Sequence, residues 1–342
     1  MTNKQDLIKV CVDFARNPEQ VLSIAQSEGK NFDEQLRSKF FNLLGIEEGS
    51  RITRRTLSKT STKELVFEII TEAIEEGFAK GVEEDEFFMQ FADTRFLARG
   101  DKNEFYLEDD ATLIVSEHSG NHWNIRRQKY EGGQIFGVDV KAYAIGVYGD
   151  FEAFMTGRAS FQKLINKGID GLKQKVYEVV AASFADAKNS LPTTFVQSGT
   201  YAEGKLIELF DHVKAANGAD AIVVGSKKAL ANVANDVTWY SEKMKDARNT
   251  EGRIGEYLGM TLVELPVVHK AGTFDFAYDQ DVLYVLSNNG DKFIKLTIEG
   301  DDLVKVEDDP TAQIDMAFDY KHISRFGAAV VFSTLVGFYE LA

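Results

Sequence analysis

The sequence predicts an α+β protein, and three features of the text carry that expectation. Apolar side chains recur at helical spacing through most of residues 1–80. Residues 105–148 are instead rich in β-branched and aromatic residues, and so is the tail from 282 onward. Between these two regions, 158–188 carries one long helical period.

The totals bound the answer. At 342 residues the chain is too long for one average core, so two or more packed units are expected. An apolar content of 44%, with 25 Phe and 12 Tyr, suffices to fill them. The formal net charge of -15 argues against a dedicated DNA or RNA reader and against binding to anionic membrane. Cys11 stands alone, so no intramolecular disulfide is available and the fold suits a reducing compartment. The N-terminal MTNKQDLIKVCVDF lacks the pattern of a signal peptide. The most apolar segment, FGAAVVFSTLVGFY (326–339), is shorter than the ~20 residues of a membrane-spanning helix.

In the N-terminal region Leu7, Val10, Cys11 and Phe14 share a helical face, and Asn17-Pro18 reads as an N-cap and first-turn proline. Leu36, Phe40, Leu43 and Leu44 form a second stripe that Gly45 is expected to stop. Ser61 and Glu64 read as a capping box ahead of Leu65, Ile69, Ile70 and Ile74, with an end near Gly77. Between the last two helices, RITRRTLSKTSTK (51–63) is basic without an acid, a local reversal of sign.

FYLEDDATLIVS (105–116) and QIFGVDVKAYAIGVY (134–148) predict two long strands joined at a polar tip. Ten extended residues span ~33 Å, more than most hairpins need. The helix that follows is interrupted by Gly168 and Gly171, each costing roughly 1 kcal/mol relative to alanine. Leu191-Pro192 closes it.

An α/β stretch comes next: a helix over 201–218 ending at Gly218, a buried strand AIVVG (221–225), and a Ser226-capped helix. A polar loop, KDARNTEGRIGEYLG, precedes a strand at 260–268. VLYVLS (282–287) and KFIKLTIEG (292–300) flank Asn289-Gly290, a hairpin dipeptide. Alternation through Ile314, Met316, Phe318 and Tyr320 and the run 326–339 end the chain in strands.

No catalytic, cofactor or metal constellation emerges. There is no phosphate-binding glycine loop, and Gly252, Gly255 and Gly259 open no strand-to-helix turn. His118 and His122 lie in a loop with no partner glutamate. Arg99-Gly100-Asp101 reads as a turn before a strand. Cys11, on an apolar face, reads as a small buried hydrophobe.

Absent chemistry and long reaching elements together point to assembly. The order of parts, and above all AIVVGSKKALANVA followed by KDARNTEGRIGEYLGMTLVELPVV, resembles the major capsid protein of tailed bacteriophages, the Hong Kong 97-type capsid fold. The resemblance implies an N-terminal helical arm at 1–94 and an extended loop, a long β-hairpin, at 95–142. It further implies a peripheral domain with a spine helix at 143–194, an α/β axial domain at 195–290 and peripheral return strands at 291–342. In that family the spine crosses a sheet, where Gly168 and Gly171 would permit a bend or a close approach.

The function implied is structural rather than enzymatic: pentamers and hexamers of an icosahedral phage head around double-stranded DNA, with no cofactor and no membrane partner. Partners would be copies of the chain, a separate scaffolding protein, a portal and nonspecifically held DNA. The location would be the virion capsid, after assembly in the host bacterial cytoplasm. Candidate inner-face DNA contacts are Arg51, Arg54, Arg55 and Lys59. Candidate inter-subunit residues at the loop tip are His118, His122, Trp123, Arg126 and Arg127. Lys102 and Lys129 lie in the same loop without a recognisable cross-linking acceptor. Two other readings stay open: an encapsulin-like compartment shell, and an α/β enzyme with a dispersed site.

Overall fold

The computed structural model describes residues 8–11, 13, 31–43, 60–107, 133–149, 151–188, 191–236, 242–251, 255–288, 292–307, 318–331 and 335–341. Its helices and strands build two main sheets with one long helix bearing on both. In chain order the first elements are α1 (Phe32–Leu43), α2 (Thr60–Glu83), α3 (Glu86–Phe91), β1 (Ala92–Leu97), β2 (Phe105–Leu107), β3 (Gln134–Phe136), β4 (Lys141–Gly149) and α4 (Phe151–Thr156). The long helix α5 is Phe161–Lys188. There follow β5 (Val196–Gly199), α6 (Glu203–Asn217), β6 (Ala221–Gly225), α7 (Lys227–Asp236), α8 (Glu242–Glu251), β7 (Glu256–Tyr257) and β8 (Met260–Glu264). The last are β9 (Val282–Ser287), β10 (Ile294–Glu307), β11 (Phe318–Val330) and β12 (Gly337–Leu341).

The first sheet has the order β1-β10-β11-β4, with only β1 and β10 parallel. Alternation along β10 and β11 puts Ile294, Leu296, Ile298 and Phe326 into the core beneath α2 and α5. Both helices earn their places by period. α2 buries Val66, Ile70, Ala73, Phe78 and Val82, and α5 buries Phe161, Ile165, Leu172, Val176, Val180 and Phe184. At 28 residues, α5 spans about 42 Å. Ser183 Oγ donates to Ala328 O of β11 at 3.2 Å, fastening the helix to the sheet.

The second sheet has the order β5-β12-β9-β6-β8-β7. Its two faces separate by alternation along β9. Leu283 and Val285 turn to Leu206, Leu209 and Val213 of α6 and to Leu230 and Val233 of α7. Val282, Tyr284 and Leu286 turn to the main core. Phe184, near the end of α5, touches both sheet regions, with ring centroids 5.1 Å from Tyr284 and 5.7 Å from Phe293, just before β10.

Several expectations meet the structure directly. The helix at 203–217 ends at Gly218 in the left-handed region, φ 63°. Ser226 Oγ accepts from Ala229 N at 3.0 Å and so caps α7. Arg99-Gly100-Asp101 is a turn, closed by Asp101 N to Ala98 O at 3.0 Å, with Gly100 at φ 93°. Gly168, but not Gly171, marks a close approach of α2 to α5.

Others are corrected. Residues 134–148 are not one strand: β3 and β4 are separated at 137–140. There Asn103 Nδ2 donates to Val138 O at 2.6 Å, and the Asp139 carbonyl lies against the backbone of Gly327, so the chain crosses the sheet face before β4 begins. Gly77 does not end α2, because Phe78 and Val82 extend the buried stripe to Glu83. Part of the polar loop before β8 is helical: α8 covers 242–251, a run free of glycine and proline. The 260–268 strand stops at Glu264. The strands around Asn289-Gly290 form no hairpin. β9 is flanked by β6 and β12, and β10 by β1 and β11, so each has spent both edges in its own sheet. That dipeptide lies outside the described residues. The 326–339 run divides between β11 and β12, and β12 joins the second sheet rather than the first. The helix α2 packs on α5 and β10, a contact that leaves the expected division into domains open.

Candidate interaction surface

Among the described residues no group of His, Cys, Asp and Glu is arranged to hold a metal ion, and no helix is long and apolar enough to cross a membrane. Burial pushes the Cys11 thiol up to about 12, which leaves it protonated and unreactive at neutral pH. A cleft of about 710 Å³ opens between α3, α5 and β8. Its best-placed polar pair is structural. Tyr177 OH donates to Asp85 Oδ2 at 2.7 Å, while Asp85 Oδ1 accepts Phe87 N at 3.1 Å and caps α3. Burial, then the bond to Asp85, raises the Tyr177 phenol far above its ordinary value, so it does not supply a base.

The informative geometry lies on the first sheet's other face. The segment leaving β1 folds across it. Asn103 Oδ1 accepts Thr297 Oγ1 at 2.9 Å. The Arg95 guanidinium sits 4.1 Å from the Phe105 ring centroid, and the Lys295 ammonium 6.0 Å from it. Lys295 is buried yet stands 3.7 Å from Asp93. Beyond this anchor β2 and β3 pair antiparallel. Phe105 and Phe136 stack inward at 5.7 Å, while the cross-strand pair Tyr106 and Ile135 is 53% and 66% exposed. An apolar cross-strand pair in water, on a ladder held firmly at its base, is a surface suited to contact.

The sequence-based site residues are not among those described. Arg51, Arg54, Arg55 and Lys59 lie outside the described residues, as do His118, His122, Trp123, Arg126, Arg127 and Lys129. Lys102 is exposed, 3.9 Å from Glu104. Sequence reasoning passed over Phe274 and Phe276, which the structure exposes between β8 and β9. The signal was present as FDF just after Gly272, two phenylalanines in a segment with no helical or strand period.

The family model for the "SPbeta prophage-derived putative capsid protein YonB" matches residues 29–340. The chain belongs to that family. It is a phage capsid protein, with a structural role and a place in the virion capsid. No curated protein matches this sequence. Among solved structures, the chain is similar to the mature capsid of bacteriophage PhiM1, at 11% identity and a TM-score of 0.49, over 75% of this chain and 87% of that one. It is also similar to the capsid of cyanophage P-SCSP1u, at 13% identity and a TM-score of 0.48, over 75% and 88%. A third is the satellite phage P4 procapsid, at 9% identity and a TM-score of 0.45, over 77% and 97%. The assignment rests on the family match, not on these looser likenesses.

Proposed function

We propose that this capsid protein assembles into pentamers and hexamers of an icosahedral head that encloses double-stranded DNA, on the Hong Kong 97-type plan. The family match over 29–340 is the observation that carries the reading. The chain order supports it. The chain leaves the first sheet after β1 and rejoins it as β4, an order that suits an extended loop at 95–142. α5 serves as the spine, 195–290 as the axial domain, and β10 and β11 as the return to the peripheral sheet. The N-terminal residues up to about 94 serve as an arm together with helices that pack on the spine.

The mechanism is mechanical. Each subunit places its loop over a neighbour, and many modest contacts act together, so avidity replaces strong pairwise binding. The acidic balance of -15 keeps the shell from gripping its genome, while Arg51, Arg54, Arg55 and Lys59 face inward to phosphate. Assembly takes place in the host cytoplasm with a separate scaffolding protein and a portal.

Size-exclusion chromatography with negative-stain microscopy tests the shell. Uniform closed particles are expected, and a chain that stays monomeric at every concentration overturns the reading. Neutralising Arg51, Arg54 and Arg55 tests the DNA contact: unchanged packaging and DNA retention remove that part alone.

A further inference from the structure

The chain carries a projecting apolar finger and, elsewhere on its surface, an apolar groove with a basic rim. The finger is the excursion 266–278 between β8 and β9. Its backbone is well tied: Ala277 N donates to Val268 O and Lys270 N to Asp275 O, both at 2.8 Å, and Gly272 turns the tip at φ 74°. Gln174 Nε2 of α5 holds its base through His269 O at 2.6 Å. The tip presents Phe274, 93% exposed, with Phe276 beside it and Asp275 between them. Single exposed apolar residues are ordinary on a surface. Here a rigid turn holds an aromatic ring fully out in water, which is a preorganised anchor rather than a stray side chain.

The groove runs beneath edge strand β4, beside the first turns of α5, with a volume of about 300 Å³. Ile145, Val147, Phe154 and Leu164 give it apolar walls, and Lys163 and Lys167 stand exposed on its rim. An apolar cavity of about 150 Å³ takes up a benzene molecule, so the groove has room for a phenyl ring. Charge matches as well. Among the described residues neither lysine ammonium has a hydrogen-bond or ion-pair partner, and neither has the Asp275 carboxylate. Two lysines one helical turn apart on a chain of net charge -15 form a local positive site.

We propose that Phe274 of one copy seats in the β4–α5 groove of a second copy, with Asp275 beside Lys163 and Lys167. The inference rests on the shell reading above. A contact between two different patches of the same chain is heterologous, and such contacts close into rings where the rotation between copies closes and run on as open filaments where it does not. It is the type of contact that rings such as pentamers and hexamers require.

Three variants test it: Asp275→Lys, the double change Lys163→Asp with Lys167→Asp, and all three together. All sites are exposed, so unchanged thermal unfolding is expected of each. Each reversal sets like charges against each other across the contact and is expected to cut shell yield by about tenfold or more, and the combined variant is expected to restore it. Oxidising shells of an Asp275→Cys, Lys163→Cys variant is expected to give a ladder of linked copies on a non-reducing gel. If wild-type shells form while both reversals also assemble at wild-type yield, the contact is refuted and the shell stands. Failure of the combined variant to recover, or absence of cross-links between copies, refutes the seating of Phe274 in the groove. A wild-type chain that never leaves the monomeric state overturns the contact and the shell together.

Discussion

Gly168 of the long helix lies hard against Ile74 of α2. A Cβ built on the glycine would come within 2.9 Å of Ile74 Cδ1 and 3.3 Å of its Cγ1. Gly171, three residues later, faces open space. One glycine is demanded by packing and the other is not. Gly171→Ala is therefore expected to stabilise the fold by roughly 1 kcal/mol through helix propensity. Gly168→Val overfills a tight contact and is expected to cost about 1–3 kcal/mol. Urea unfolding of the two variants side by side decides the matter, and equal effects would refute the distinction.

Phe184 ties the long helix to both sheet regions. Its side chain is buried and its ring meets Tyr284 and Phe293. Phe184→Ala opens a cavity where three elements converge and is expected to lower stability by about 3–5 kcal/mol. A loss below 1 kcal/mol by chemical denaturation would show that the site collapses freely.

Asn103 holds the base of the 98–140 segment. It bridges the buried Thr297 hydroxyl and the Val138 carbonyl. Asn103→Ala leaves both groups without that partner, at an expected cost of about 1–3 kcal/mol. The loss is local, so limited proteolysis should cut between 98 and 140 faster than in the wild type. Unchanged cleavage there would mean that the anchor is elsewhere.

Ser226 both caps α7 and donates to Gln280 O at 2.6 Å. Ser226→Ala is expected to destabilise by roughly 1–2 kcal/mol. Ser226→Asp keeps a cap acceptor but cannot donate to Gln280, so a full rescue by Asp would assign the whole effect to the cap.

Cys11 makes the fold sensitive to alkali. Burial raises its thiol from 9.0 to about 12, so the folded chain keeps a proton that the unfolded chain releases. Across that window the unfolded state binds fewer protons, and stability falls as pH rises, by up to about 1.4 kcal/mol per pH unit from this group. The phenols of Tyr177, Tyr278 and Tyr284, each raised chiefly by burial, push the same way above their ordinary values. Urea midpoints should drop between pH 9 and pH 12 for the wild type. Cys11→Ala should show a shallower drop in the lower half of that window.

Elements whose hydrogen bonds are local were legible in the text. The period of Phe161, Ile165, Leu172 and Val176 announced the long helix, Gly218 announced the end of α6, and Ser226 announced the cap of α7. Each depends on neighbours within about four residues, so the information is contiguous. The mixed α+β class and the capsid family were readable for the same reason, from the order of such elements.

Partner choice was not legible. Ala92 pairs with Ile294, and β12 slips between β5 and β9, although nothing near any of these residues names its partner. Strand ladders are closed by groups far away in sequence, so Asn289-Gly290 looked like a hairpin between strands that belong to different sheets. Exposure is nonlocal too. Phe274 and Phe184 are the same residue type, and only the packed structure left one in water and put the other between two sheet regions. By itself the sequence determined what each segment becomes. The tertiary structure decided which segments meet and which apolar surface stays exposed, because burial is settled by the whole chain at once.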